Sequence, residues 1–193
     1  ITIYGDYDVD GITATAILWQ CLTMLGAAVD YYIPHRINEG YGLNTEALAQ
    51  IASNGTTLVI TVDCGITAVN EVAAAKLLGM EVVITDHHQI QAVLPEAAAI
   101  VHAQLKPDYA NPNSAGAMVA FKVAWGLVNR YKNGSKAQGA LREFLINATT
   151  MAAIGTVADV IELLGENRII TSYGIKALPN CPLVGIQALL QCA

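Results

Sequence analysis

Charge is scarce in this chain. Only 13% of its 193 residues are Asp, Glu, Lys or Arg, and the ten basic residues are outnumbered by sixteen acidic ones, for a net charge of −6. A nucleic-acid binder normally presents a basic surface, so the balance weighs mildly against an extended nucleic-acid footprint on this chain alone. An acidic cluster that has loaded divalent cations would reconcile the two, because it then attracts phosphate. Long apolar runs are missing as well. The longest, Ala115 to Val128, is broken by Lys122 and falls short of the about 20 residues that a membrane crossing needs. The basic and apolar segments of a secretory signal do not occur at the start. Four cysteines (Cys21, Cys64, Cys181 and Cys192) stand too far apart for a C-x-x-C zinc or redox site. They are expected to be reduced core residues of a cytoplasmic protein.

What is present is apolar: 54% of the residues are hydrophobic. Ile1 to Tyr4 already reads as a buried strand, and Leu189 to Ala193 stops inside an apolar helical pattern. An excised piece of a longer protein, with faces that pack on something else, is the expectation. Strand-like runs at Ile1–Tyr4, Ala28–Ile33, Thr57–Val62, Glu81–Thr85 and Ala98–Val101 alternate with helical patterns at Ile12–Leu25, Thr45–Ser53 and Thr67–Leu78. The strands are nearly continuous in Val, Ile and Leu, the mark of a parallel sheet covered on both faces. Gly26, Gly55 and Gly79 fall where the helices should end. The fold class is therefore α/β: a doubly wound, mainly parallel five-stranded sheet with helices on both faces, followed by a helical C-terminal part. Helices are predicted there over Ala115–Tyr131, Ala137–Ala158 and Ile161–Leu178, with Asn111-Pro112-Asn113 as the joint. The expected division is 1–112 for the α/β core and 113–193 for the helical part.

Three of the first four strands end in acidic or histidine clusters: Asp6, Asp8 and Asp10 in Gly-Asp-Tyr-Asp-Val-Asp-Gly, then Asp63, then Asp86-His87-His88. In an open parallel sheet the carboxyl ends of the strands share one crevice, where ligands bind. Like charges about 4 Å apart repel by roughly 4 kcal/mol at an effective dielectric of 20, so such a gathering calls for protons or cations. Oxygen-rich ligands with a minority of imidazole suit Mn²⁺ or Mg²⁺ better than structural zinc. Two ions about 3.5–4 Å apart, bridged by an aspartate, would activate water and neutralise phosphate charge, which is metal-assisted hydrolysis. Taken singly, each cluster has a plainer reading. Asp10 or Gly11 could start the helix at Ile12, Asp63 could cap a strand end, and a His-His pair could be structural. An EF-hand loop is unsupported, because Ile17 occupies the position of its bidentate Glu. The coincidence at three strand ends favours the metal reading.

Four segments in order, Gly5–Gly11, Val62–Gly65, Asp86–His88 and Gly155–Asp159, resemble the motifs of the DHH phosphoesterase superfamily. Pro34-His35-Arg36, Glu39–Leu43, Ser114–Gly116 and Val119–Lys122 make the chain similar to its RecJ-like, single-strand-specific exonucleases. The resemblance covers residues 1 to about 175. It implies a two-metal phosphodiesterase, favouring Mn²⁺ with Mg²⁺ as substitute, that removes mononucleotides from the 5′ end of single-stranded DNA in repair and recombination. Carried over motif by motif, Asp6, Asp8 and Asp10 would supply the first ligands, Asp63 would bridge, and His87 and Asp159 would complete the centre. Asp86 and His88 would support the ligands or contact phosphate, and Arg36 would pair with phosphate. The family also implies a DHHA1-type domain and an OB-like module, expected on the rest of a longer polypeptide. His102-Ala103-Gln104-Leu105 departs from the family's usual Asn-Pro after the fifth strand, which bears on loop geometry and no metal ligand. Two other readings compete: a phosphoesterase for short oligonucleotides, cyclic dinucleotides or pyrophosphate, and a non-catalytic scaffold that keeps the fold.

Overall fold

Strands β1 (Thr2–Tyr4), β2 (Asp30–Tyr32), β3 (Leu58–Val62), β4 (Glu81–Thr85) and β5 (Ala99–Val101) pair in the order β2-β1-β3-β4-β5. Every pairing is parallel. The structure, a computed structural model, describes residues 1–192; of the apolar helical ending expected at Leu189–Ala193, Ala193 lies outside them. Between the strands run α1 (Val9–Met24), α2 (Thr45–Ser53) and α3 (Val69–Leu77). Beyond β5 a 3-10 turn (Ala103–Leu105) leads to α4 (Gly116–Tyr131), α5 (Ala140–Ala158), α6 (Gly165–Ala177) and α7 (Val184–Cys192).

Side chains alternate across the sheet and so build two cores. Ile3, Ile60 and Val62 face one, packed by α1, α4 and α5. Tyr4, Val59, Val82 and Ile84 face the other, packed by α2 and α3. The predicted doubly wound sheet is thus present, and α4 and α5 cover one of its faces beside α1. Gly26, Gly55 and Gly79 take φ near +80 to +85 just past α1, α2 and α3, as expected of helix-terminating glycines.

Differences from the expected boundaries have local causes. α1 begins at Val9, not Ile12, because the Asp8 side chain accepts the Gly11 N–H at 2.9 Å and caps the helix three residues early. α5 begins at Ala140, not Ala137, and α6 at Gly165, not Ile161. Val160, with φ +57, stands in the gap between the last two predicted helices. The turn is closed by Val160 N–H to Val157 O and Ile161 N–H to Thr156 O, each 3.2 Å. A β-branched residue in that left-handed region costs about 1–2 kcal/mol. Val160→Gly is expected to raise the urea-unfolding stability by about 1 kcal/mol. An unchanged or lower midpoint would show that the turn carries no such strain.

Candidate metal centre

The order β2-β1-β3-β4-β5 makes β1, β3 and β4 neighbours, so their three acidic endings meet at one edge, beside the switch between β1 and β3. Ligand-capable atoms of Asp6, Asp8 and Asp63 lie within 4.8 Å of one another, as do those of Asp10, His87 and Asp159 and those of Asp63, His87 and His88. Asp63 links the groups. Its Oδ1 is 3.0 Å from His87 Nε2, which is also 3.7 Å from both Asp10 Oδ2 and Asp159 Oδ2. The sequence places Asp159 in another part of the chain; the end of α5, packed on α1, delivers it here.

Each position has a backbone reason. Asp63 leaves β3 with φ +61, a conformation that Asp tolerates better than most residues, and its N–H still donates to Thr85 O at 3.0 Å. Asp10 does not start its own helix, as its position allowed; it caps another one. Its carboxylate accepts the N–H groups of Gly116 (2.6 Å) and Ala117 (2.9 Å) at the amino end of α4, where the helix dipole favours an anion. Asp86, fully buried, accepts from the N–H groups of Ile66 (2.8 Å), His87 (2.7 Å) and His88 (3.1 Å) and sits 2.8 Å from His88 Nδ1. With its oxygens so occupied, Asp86 orients His88 and has no exposure to a substrate. Arg36 lies 5.2 Å over the Tyr7 ring, exposed and beside the first cluster.

The electrostatics fit cations. Burial raises Asp63 far above the usual carboxylate range, and the neighbouring Asp10 and Asp8 carboxylates raise it further. Burial likewise raises Asp10 against the lowering effect of the Ala117 N–H, and raises Asp6 against that of the Tyr7 N–H. Burial alone would raise Asp86, but the His88 imidazole and the Ile66 N–H outweigh it and leave the carboxylate lowered. Asp86 in turn raises His88 through their hydrogen bond. Asp6 Oδ1, Asp63 Oδ1 and His87 Nε2 are buried without a hydrogen-bond partner among the described residues. Each such orphan costs about 1–3 kcal/mol. Asp63 Oδ1 and His87 Nε2 are 3.0 Å apart and Asp6 shares a ligand group with Asp63, so divalent cations there would satisfy all three.

A family model, the DHH family N-terminal domain, matches residues 1–156. The chain belongs to the DHH family. The single-stranded-DNA-specific exonuclease RecJ of Bacillus subtilis is 43% identical over 193 residues, covering 99% of this DHH-family chain and 23% of the relative. A crystal structure of exonuclease RecJ bound to manganese superposes with a TM-score of 0.87 at 38% identity, covering 99% of this chain and 46% of that one. Thermus thermophilus RecJ in complex with Mn²⁺ gives 0.82 at 34% identity, covering 99% and 26%. The chain therefore spans less than half the length of these relatives.

Some contributors to the DHH centre escaped the sequence reading. Tyr41 places its hydroxyl 3.2 Å from the Asp63 carbonyl and 3.1 Å from His88 Nδ1. His102, buried, sets its Nε2 2.8 Å from His88 O and caps the 3-10 turn, so the atypical segment after β5 supports the motif from behind. The backbone donors of Gly116 and Ala117 carry no side-chain signature at all. Gly116 also has no room for a methyl: a Cβ there would lie 2.6 Å from Asp63 Oδ1. Gly116→Ala is expected to cost about 1–3 kcal/mol of stability and to weaken metal binding, read by thermal melting and calorimetry. A variant that binds Mn²⁺ as tightly as the parent would contradict this contact.

Proposed function

We propose that this chain is the two-metal catalytic core of a 5′-to-3′ exonuclease that hydrolyses single-stranded DNA to 5′-mononucleotides. One arrangement supports the reading: Asp63 belongs both to the group with Asp6 and Asp8 and to the group with His87 and His88, and His87 also joins Asp10 and Asp159, at the switch of the sheet. Asp6, Asp8 and Asp63 would hold one cation, and Asp63, Asp10, His87 and Asp159 the other. Bound there, Mn²⁺ or Mg²⁺ supplies water activation and neutralisation of the charge that develops on phosphate. The protein's part is to pre-organise the acceptors, since α4 fixes Asp10 and Asp86 fixes His88 before substrate arrives. His88, whose side chain is 41% exposed, is kept readily protonated by Asp86 and can donate to a phosphate oxygen. Arg36, stacked on Tyr7 and near enough to Asp6 to act on its carboxylate, can pair with a phosphate at the same mouth. The names of the relatives, which specify single-stranded DNA, support this substrate class.

In this reading residues 1–112 supply the metal-binding core and 113–193 the helical part of one DHH unit. DHHA1-type and OB-like domains of a longer polypeptide would grip the strand with the basic and aromatic surface lacking here. The setting is cytoplasmic, supported by Cys21, Cys64 and Cys181 as packed core thiols, with Cys21 beside Ala124 O and Cys64 beside Tyr4 O; Cys192, expected in the core as well, is exposed instead. Among the described residues no helix is long and apolar enough to cross a membrane.

The test is Mn²⁺-dependent release of 5′-mononucleotides by the full-length polypeptide, with 5′-labelled single strands, duplexes and dinucleotides compared. The expected result is release from the long single strand only. Faster cleavage of dinucleotides would point to a short-oligonucleotide phosphoesterase, and failure to bind Mn²⁺ to a scaffold.

A further inference from the structure

The loop between β2 and α2 is built more firmly than a connector needs. Glu39 is its hub: Tyr32 donates its hydroxyl to Oε1, Asn44 donates to the same oxygen at 3.2 Å, and the His35 N–H donates to Oε2 at 2.7 Å. Tyr4 donates from the core to Gly42 O at 3.1 Å, and Asn44 donates to the Tyr4 oxygen at 3.2 Å. Gly40 and Gly42, at φ +79 and +85, bend the chain on either side of Tyr41. Neither glycine has a neighbour within 4 Å, so their left-handed backbone alone sets the need for glycine. The product of all this is the placement of one side chain. Tyr41 is 49% exposed, so core packing is not what the loop secures.

From this geometry we infer that Tyr41 is a positioning residue for the metal centre, through its hydroxyl on the Asp63 carbonyl and the His88 ring. The inference rests on the two-metal reading above. Asp63, whose carboxylate joins Asp6 and Asp8 and lies 3.0 Å from His87, holds a left-handed backbone, a conformation that costs a non-glycine residue about 1–2 kcal/mol. Two hydrogen bonds hold that residue from opposite sides. Its N–H goes to Thr85 O at 3.0 Å, and its carbonyl accepts from Tyr41 at 3.2 Å. The same hydroxyl oxygen is 3.1 Å from His88 Nδ1, whose proton Asp86 Oδ1 takes at 2.8 Å. The imidazole edge is thereby confined between a carboxylate and a phenol, with the rings edge-on at 5.4 Å. One phenol oxygen thus ties the backbone of Asp63 to the histidine motif of the next strand.

Partners that orient metal ligands are typically worth about 10–100-fold in metal affinity or activity. Tyr41→Phe keeps the ring and removes only the tie. In the full-length protein it is expected to melt within about 2 °C of the parent. Its Mn²⁺ affinity by calorimetry should fall about 10-fold, and kcat on a single strand about 10-fold, with KM changed by less than about 2-fold. Equal Mn²⁺ isotherms and equal kcat for parent and variant would overturn the inference and leave the nuclease reading standing. A melting point lost together with the metal would also overturn it, by making Tyr41 a packing residue. A parent that binds no Mn²⁺ would sink the two-metal reading, and this inference with it.

Discussion

Asp63→Asn is expected to abolish Mn²⁺-dependent nucleotide release while making the metal-free protein harder to unfold. The loss follows from position. In the proposed two-metal reading Asp63 completes the group of Asp6 and Asp8 and lies 3.0 Å from His87 of the other, so an amide there removes a formal charge beside both at once. If the shared charge supplies about 4 kcal/mol of transition-state stabilisation, the rate falls by on the order of 10³-fold. The gain follows from the same burial. Asp63 is only 2% exposed, it is surrounded by Asp10, Asp8 and Asp86, and its Oδ1 has no hydrogen-bond partner. Without metal Asp63 must take up a proton to be buried, a cost that an amide of equal size does not carry, and the amide N–H could satisfy His87 Nε2, which lies 3.0 Å from that oxygen. Removing that cost is expected to stabilise the metal-free fold by about 1–4 kcal/mol. Urea unfolding of both proteins in chelator reads the gain, and nucleotide release in Mn²⁺ reads the loss. An Asn variant that is less stable without metal would mean that Asp63 has structural partners beyond those described.

The metal-free protein is expected to lose stability as pH rises, and Mn²⁺ to reverse that trend. Asp63, Asp10 and Asp6 are all raised in the fold, chiefly by burial. A raised group stabilises the fold fully below its unfolded pKa, about 3.9 for Asp, and loses that contribution as pH climbs through the folded value. His88, raised by its bond to Asp86, acts in the same direction from about pH 6.5 upward. Asp86, lowered in the fold, works the other way, but its contribution disappears only in acid and does not vary between pH 6 and 8. Without metal the melting temperature should therefore drop by about 5 °C from pH 6 to pH 8, equivalent to ~2 kcal/mol for a chain of this size. Mn²⁺ competes with protons for the same oxygens, so its stabilising shift should be larger at pH 8 than at pH 6. A flat metal-free profile, or a metal shift that shrinks toward pH 8, would contradict the electrostatic account of the centre.

The legibility of this site depended on which level of structure placed each residue. Asp63 and Asp86-His87-His88 could be read directly, because a run of apolar residues followed by an acid at three strand ends converges in any parallel sheet, and β1, β3 and β4 are indeed neighbours. Asp159 is harder: it stands at the end of a helix, and its place depends on how α5 crosses α1, a packing relation that no local pattern encodes. Only the family resemblance singled it out. Asp10 was located but its partner was not, since the Gly116 and Ala117 N–H groups belong to a helix more than a hundred residues away. Tyr41 stood in a stretch read as a family mark, yet the hydroxyl's reach to Asp63 depends on two left-handed glycines and the Glu39 hub acting together. The start of α1 differs from the expected one because the Asp8 side chain caps the helix early, a contact that composition does not reveal.

Anomalous scattering at the manganese edge, from crystals grown with Mn²⁺, examines the shared carboxylate most directly. Two peaks are expected, one on each side of Asp63, the first also touching Asp6 and Asp8 and the second Asp10, His87 and Asp159. A lone peak that leaves Asp63 in contact with one ion only, or density seated away from this edge of the sheet, would contradict the account.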